Sequence, residues 1–144
     1  MMGDGISVIN SLADLRVLAV EDNVQARALL RSTLKELGID QIFMAKDGKE
    51  ALDFLADCDE MINVIVCDWN MPRVTGLEIL RQVRTVDRDI PFMMLTGAAD
   101  LDSVSIAKES GVTSYLAKPY SQDDLGKKLK QILRILKVRQ DVMA

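Results

Sequence analysis

The chain has 144 residues, 49% of them apolar, which suits one domain of the usual ~100–200 residues built around a packed core. Its 18 Lys and Arg against 22 Asp and Glu leave a net charge of −4, which argues against general nucleic-acid binding. It contains no histidine, and that removes Ser-His and Cys-His catalysis, imidazole metal sites and any role as a phosphohistidine carrier.

Residues 1–14 read as an N-terminal extension. Met2-Gly3-Asp4-Gly5-Ile6-Ser7 fits a myristoylation pattern only if synthesis starts at Met2, so a flexible tail is the expectation. No apolar run approaches the ~18 residues of a membrane span, and the start lacks a signal peptide's basic and apolar regions. Cys58 and Cys67 are too few for a disulfide framework. A cytoplasmic chain without a membrane or nucleic-acid partner is therefore expected.

From Leu15 onward, short apolar runs alternate with longer helical stretches. Leu15–Val20 reads as the first strand, and Glu21 and Asp22 follow it. Asn23 to Leu37 is helical in character and stops at Gly38, a natural left-handed terminator. Gln41–Ala45 is the second strand. Asp47-Gly48-Lys49-Glu50 is a capping box for the second helix. Ile62–Cys67, with Val64-Ile65-Val66-Cys67 apolar throughout, reads as a strand buried on both faces. Asp68 follows it, and Met71-Pro72 marks a loop ahead of the capping box Thr75-Gly76-Leu77-Glu78.

Ile90–Leu95 is the fourth strand, again continuously apolar at Phe92-Met93-Met94-Leu95, with Thr96 after it. The helix from Asp100 to Glu109 has few apolar residues and is expected to be thinly anchored and mobile. Thr113–Ala117 is the fifth strand, closed by Lys118-Pro119. Ser121-Gln122-Asp123-Asp124 opens a helix with Leu125, Leu129, Ile132 and Leu136 on one face. Its lysines and arginines, from Lys127 to Arg139, read most simply as a solvated face. The domain is expected over residues 15–138, with 139–144 as a C-terminal tail and no room for a second domain.

Alternating strands and helices predict an α/β fold, a five-stranded parallel sheet with five helices on both faces. Ligands of such sheets bind beyond the carboxyl ends of the strands. Glu21, Asp22, Asp68, Thr96 and Lys118 would converge there. Each alone fits an ordinary cap, turn or surface role; three carboxylates, a hydroxyl and an ammonium on one rim form a signal. The carboxylates would repel one another unless a hard cation sits among them, and Mg²⁺ suits oxygen ligands that also face a phosphate. Asp68 would then serve as nucleophile toward a phosphoryl group, with Thr96 and Lys118 on the phosphoryl oxygens. An ionised carboxylate needs no general base.

The strings Val20-Glu21-Asp22-Asn23, Cys67-Asp68-Trp69-Asn70-Met71-Pro72, Leu95-Thr96-Gly97 and Tyr115-Leu116-Ala117-Lys118-Pro119 resemble the receiver domain of two-component response regulators, in its single-domain, CheY-like form. The resemblance spans roughly Leu15 to Val138. It implies the flavodoxin-like strand order 2-1-3-4-5, and Asp68 as acceptor of a phosphoryl group from a sensor histidine kinase, a histidine phosphotransfer protein or a small donor. It also implies Mg²⁺ at Asp22, Asp68 and the Asn70 carbonyl with Glu21 acting through water, Thr96 and Tyr115 as the switch pair, and a cis peptide at Lys118-Pro119. Output would pass to a partner protein through the 100–138 surface. Glu21 stands where Asp is commoner, and Gly97, where Ala or Ser is usual, would loosen the loop after Thr96. Asn70 and Ala98 would flank the path of an attacking water. Three readings follow: a phosphorylated switch, terminal or intermediate in a phosphorelay and not a conventional enzyme; an unphosphorylated scaffold of the same shape; or an aspartyl-phosphate phosphohydrolase. The complete acidic pocket speaks against the scaffold, and the position of Asp68 after the third strand speaks against the hydrolase.

Overall fold

The computed structural model describes residues 8–86, 89–97 and 101–143. Five parallel strands, β1 (Arg16–Val20), β2 (Gln41–Ala45), β3 (Val64–Asp68), β4 (Phe92–Thr96) and β5 (Ser114–Ala117), form one sheet in the order β2-β1-β3-β4-β5. Five helices connect and follow them: α1 (Val24–Glu36), α2 (Gly48–Cys58), α3 (Gly76–Thr85), α4 (Leu101–Glu109) and α5 (Gln122–Met143). The strand order reverses between β1 and β3, which opens a crevice at their carboxyl ends.

Alternate residues of the central strands feed two separate cores. Val17, Ala19, Val64, Val66, Met93 and Leu95 pack with Leu30 and Leu34 of α1 and with Leu125, Leu129 and Ile132 of α5. Leu18, Val20, Ile65, Cys67, Phe92 and Met94 pack with Ala51, Ile79, Leu80, Val83 and Ala107 from α2, α3 and α4. Removing this much apolar side chain from water on both faces is what makes the continuous runs of β3 and β4 necessary.

Helix starts follow the capping chemistry in the sequence. Asn23, Asp47 and Thr75 accept hydrogen bonds from the backbone N–H of Ala26, Glu50 and Glu78 at 2.8, 2.8 and 3.2 Å. The Ser121 box is reciprocal: its hydroxyl accepts from Asp124 N–H at 3.0 Å while the Asp124 carboxylate accepts from Ser121 N–H at 3.1 Å. Gly38, at φ +93, ends α1 in the left-handed region, and Ile39 N–H returns to the Leu34 carbonyl at 3.1 Å.

Both ends of the domain differ from the sequence expectation. Residues 139–143 are no tail but the last turn of α5. After Val138 the sequence offers neither glycine nor proline to stop the helix, and its end is tied down. Arg139 donates to the Asp89 carbonyl at 2.6 Å, and the Gln140 side chain exchanges hydrogen bonds with the backbone of Ile9. The extension is correspondingly attached where it is described: a short 3-10 turn, Leu12–Asp14, leads into β1, and Leu12 packs against the α1/α5 core. Residues 1–7, Ala98 and the helix start at Asp100, each given a role above, lie outside the described residues. Helix α4 is thinly anchored as expected, with Ala107 its one fully buried side chain among the described residues. Among the described residues, no helix is long and apolar enough to cross a membrane.

Candidate functional site

Strand register assembles the rim. Val20 pairs with Cys67, so Glu21 and Asp68 stand side by side at the ends of β1 and β3. Asp68 pairs with Leu95, one residue before Thr96. Thr96 pairs with Ala117, one residue before Lys118. The ladder runs on past the apolar residues: Trp69 N–H reaches the Leu95 carbonyl at 2.8 Å and Lys118 N–H the Thr96 carbonyl at 2.7 Å. Asp68 and Thr96, which the sequence assigned to loops, are therefore the last residues of their strands.

Glu21, Asp22 and Asp68 each bring one carboxylate oxygen within 4.8 Å of the others. Glu21, Asp68 and Thr96 are only 2%, 5% and 3% exposed, while Asp22 is half-buried. Such a set of hard oxygen donors at one point fits a Mg²⁺-sized cation. Asn70 is next to them: its N–H donates to Asp68 Oδ1 at 3.3 Å. Lys118 Nζ lies 2.6 Å from Glu21 Oε1 and 3.4 Å from Asp68 Oδ1. Glu21, expected to face a cation through water, has the Lys118 ammonium as its partner. The Lys118-Pro119 peptide is cis.

The two neighbouring carboxyls are driven apart in acidity. Burial raises both. At Glu21 the hydrogen bond and charge of Lys118, with the Asn23 N–H, outweigh it and leave the group below its ordinary value. At Asp68 burial and the Glu21 charge together exceed the pull of Lys118, and the pKa is raised to about 6. Lys118 is raised because Glu21 and Asp68 more than offset its own burial. So Lys118 is shared by both carboxylates, with the shorter contact to Glu21. Cys67, beneath Asp68, is fully buried, and its thiol is pushed well up by that burial and by the Asp68 and Glu21 charges; it is an apolar filler.

Trp69 is 7% exposed and belongs to the α2/α3 core, so it is a packing residue next to Asp68 in the chain. Tyr115, by contrast, is not on the rim. It stands 36% exposed at the outer edge of the sheet, with the ammonium of Lys108 from α4 at 5.6 Å and that of Lys128 from α5 at 5.5 Å from its ring centroid. A cleft lined by Asp22, Lys46, Lys49, Pro72 and Arg73 opens beside the acidic cluster.

Two contributors carry no signature in the sequence. A Cβ at Gly76 would stand 2.6 Å from the Asp68 carbonyl oxygen and 2.9 Å from Trp69 Cα, so only glycine lets α3 start this close to the acceptor loop. Arg27, which reads as an ordinary helix cation, donates from NH1 to the carbonyls of Glu21 and Asp22 at 3.0 and 3.3 Å.

The sequence pattern described as the response regulator receiver domain matches residues 17–130. A chemotaxis protein CheY homolog of Campylobacter jejuni is 35% identical over 121 residues, 83% of this chain and 92% of that protein. Chemotaxis protein CheY1 of Helicobacter pylori is 33% identical over 83% of this chain and 97% of its own. Among solved structures, Vibrio cholerae chemotaxis protein CheY4 superposes with a TM-score of 0.75 at 32% identity, over 82% of this chain and 98% of that one. The receiver domain of the Francisella response regulator 1452 does so with 0.78 at 29% identity, over 86% and 100%.

Proposed function

The chain belongs to the response regulator receiver domain family, the phosphorylation-activated switches of two-component signalling, and from that premise we propose how its rim divides the work. Asp68 is the phosphoacceptor. An Oδ of its carboxylate attacks phosphorus, the O–P bond of an acyl phosphate forms, and the bond to the donor breaks with its electron pair returning to the leaving group. The donor is the phosphohistidine of a sensor histidine kinase or of a histidine phosphotransfer protein, or a small acyl phosphate. Supporting this, Asp68 has the longer of the two contacts with Lys118, 3.4 Å against 2.6 Å for Glu21, and no histidine or other base is needed to ionise it.

Lys118 exchanges Glu21 for a phosphoryl oxygen, and Thr96, at the end of β4, donates its hydroxyl to another. Asp22, Asp68 and the Asn70 carbonyl would hold Mg²⁺, with Glu21 in support; when bound, the cation neutralises the carboxylates and polarises the phosphoryl group. The observation that carries this reading is the convergence of Glu21, Asp22 and Asp68 within 4.8 Å, with Lys118 upon them. Movement of Thr96 then draws Tyr115 inward and alters the face of α4, β5 and α5, where an output protein docks. The chain acts as a phosphoacceptor switch with its own Mg²⁺-dependent self-phosphorylation and dephosphorylation. We place it in the cytoplasm, where histidine kinases draw on ATP. The relatives' names suggest a chemotaxis-type output.

The deciding experiment follows Trp69 fluorescence as Mg²⁺ with acetyl phosphate or beryllofluoride is added. The wild type responds, and Asp68→Asn abolishes the response. An equal response in the variant would remove Asp68 from the central role. Pull-downs that capture the same partners with and without phosphorylation would favour a scaffold instead.

A further inference from the structure

We propose that Arg27 is a positioning residue for the acidic rim: it holds the β1–α1 loop in the shape that brings the Glu21 and Asp22 carboxylates against Asp68, and so strengthens divalent-cation binding. The inference rests on the metal-binding reading of the rim given above.

The loop needs such a clamp because its ladder ends there. Glu21 N–H still pairs with the Ala45 carbonyl of β2 at 3.1 Å, but the carbonyls of Glu21 and Asp22 have passed the end of the sheet. One amino group serves both. Arg27 NH1 carries two N–H bonds and donates to the two carbonyls at 3.0 and 3.3 Å. Arg27 is itself anchored in the first turn of α1, since its own N–H bonds the Asn23 carbonyl at 2.8 Å while the Asn23 side chain caps the helix at Ala26. The Asn23 N–H in turn donates to Glu21 Oε2 at 3.2 Å. Strand end, loop and helix start thus form one hydrogen-bonded unit, and the half-buried guanidinium fastens its carbonyl side. Without that hold, rotation about Glu21 or Asp22 would swing a carboxylate out of the cluster.

The proposal can be separated from plain electrostatics by sign. A guanidinium beside three carboxylates repels a divalent cation, so on charge alone its removal would tighten binding. Loss of an outer group that orients ligands weakens binding, commonly by 10-fold or more. The test is calorimetric titration of Mg²⁺ into the full chain, for wild type, Arg27→Met and Arg27→Lys, with the melting temperature of each measured in chelator. Arg27→Met is expected to weaken Mg²⁺ binding about 10-fold, and Arg27→Lys, which keeps the charge but ends one bond shorter and lacks the planar fork, to fall between it and wild type. Unchanged or tighter binding in Arg27→Met overturns the proposal, as does a lowered melting temperature with an unmoved Mg²⁺ affinity. If Arg27→Met does not fold, Arg27→Lys decides: wild-type affinity at equal charge overturns the proposal, and weakened affinity supports it. Absence of Mg²⁺ binding in the wild type itself would overturn the metal-binding reading together with this inference, a result distinct from a failure confined to the variants.

Discussion

The rim at β1 and β3 and the edge at β5 are built to opposite tolerances. All five residues of β3 are buried, and Glu21 and Asp68 each have defined partners at hydrogen-bond or ion-pair distance. In β5 only Leu116 is buried, Tyr115 faces solvent, and the neighbouring α4 anchors itself through little more than Ala107. Chemistry at a phosphoryl group needs reacting atoms held within a fraction of an ångström, so the rim is packed from below and fixed from the sides. If this face switches as proposed, it needs elements whose rearrangement disturbs few buried contacts. The same sheet supplies both, because burial falls off from its centre to its β5 edge.

Gly76 tests the stiff region most severely. A single methyl there meets the Asp68 carbonyl and the Trp69 backbone, neither of which can rotate away. Gly76→Ala is expected to destabilise the fold by about 1–3 kcal/mol through forced backbone displacement, with a loss of phosphorylation beyond what the residual folded fraction explains. Denaturant melts and acetyl phosphate labelling would show this; a neutral result would mean that the acceptor loop is as yielding as the β5 edge.

Acidity probes the same rim more gently. In chelator, Asp68 has a pKa raised from 3.8 to about 6 by burial and by Glu21. Because the folded chain holds that proton more tightly than the unfolded one, the associated stability is complete below pH 3.8 and is lost as pH rises through 6. A rise from 3.8 to about 6 corresponds to at most about 3 kcal/mol, shared with Glu21 because the two carboxyls titrate together. Asp68→Asn should therefore match the wild type near pH 4 and exceed it by up to that amount at pH 7–8. Glu21 and Lys118 are themselves coupled to Asp68, so the difference reports the whole acidic cluster with Asp68 as its changed member. A variant less stable than wild type at pH 8 would contradict the crowding of the carboxylates.

How much of this the sequence disclosed follows from what an apolar pattern reports. Burial is legible, and hydrogen-bonding register is not. Leu15, Ile62 and Ile90 were read into strands because they are apolar, and all are buried, yet they plug the ends of the sheet outside its ladders. Asp68 and Thr96 were read out of strands because they are polar, yet the ladder continues through them. Caps at Asn23, Asp47 and Thr75 were legible because local spacing alone decides them. Arg73, in the left-handed region at φ 66, could not be foreseen, since nothing but its neighbours' packing imposes that turn. The rim residues could be named from their positions after each strand. That Glu21 rather than Asp68 takes the shorter contact with Lys118 appears only in three dimensions.

The slightest predicted effect belongs to the exposed edge. Two ammoniums from different helices stand over the Tyr115 ring, and at an exposed site each such contact contributes about 0.5–1 kcal/mol. They favour the outward ring position, which any inward switch must give up. Lys108→Gln or Lys128→Gln should therefore move the outward-to-inward balance of Tyr115 about 2–5-fold toward inward, read by NMR of the ring. The double variant should move it further, with global stability changed by less than about 0.5 kcal/mol. No ring response in the double variant would mean that the lysines merely solvate this face. A large global loss would mean that the edge is held as firmly as the rim. One methyl at Gly76 strains the whole fold because its neighbours are backbone; two charges at Tyr115 bias one rotamer because its neighbours are flexible chains in water.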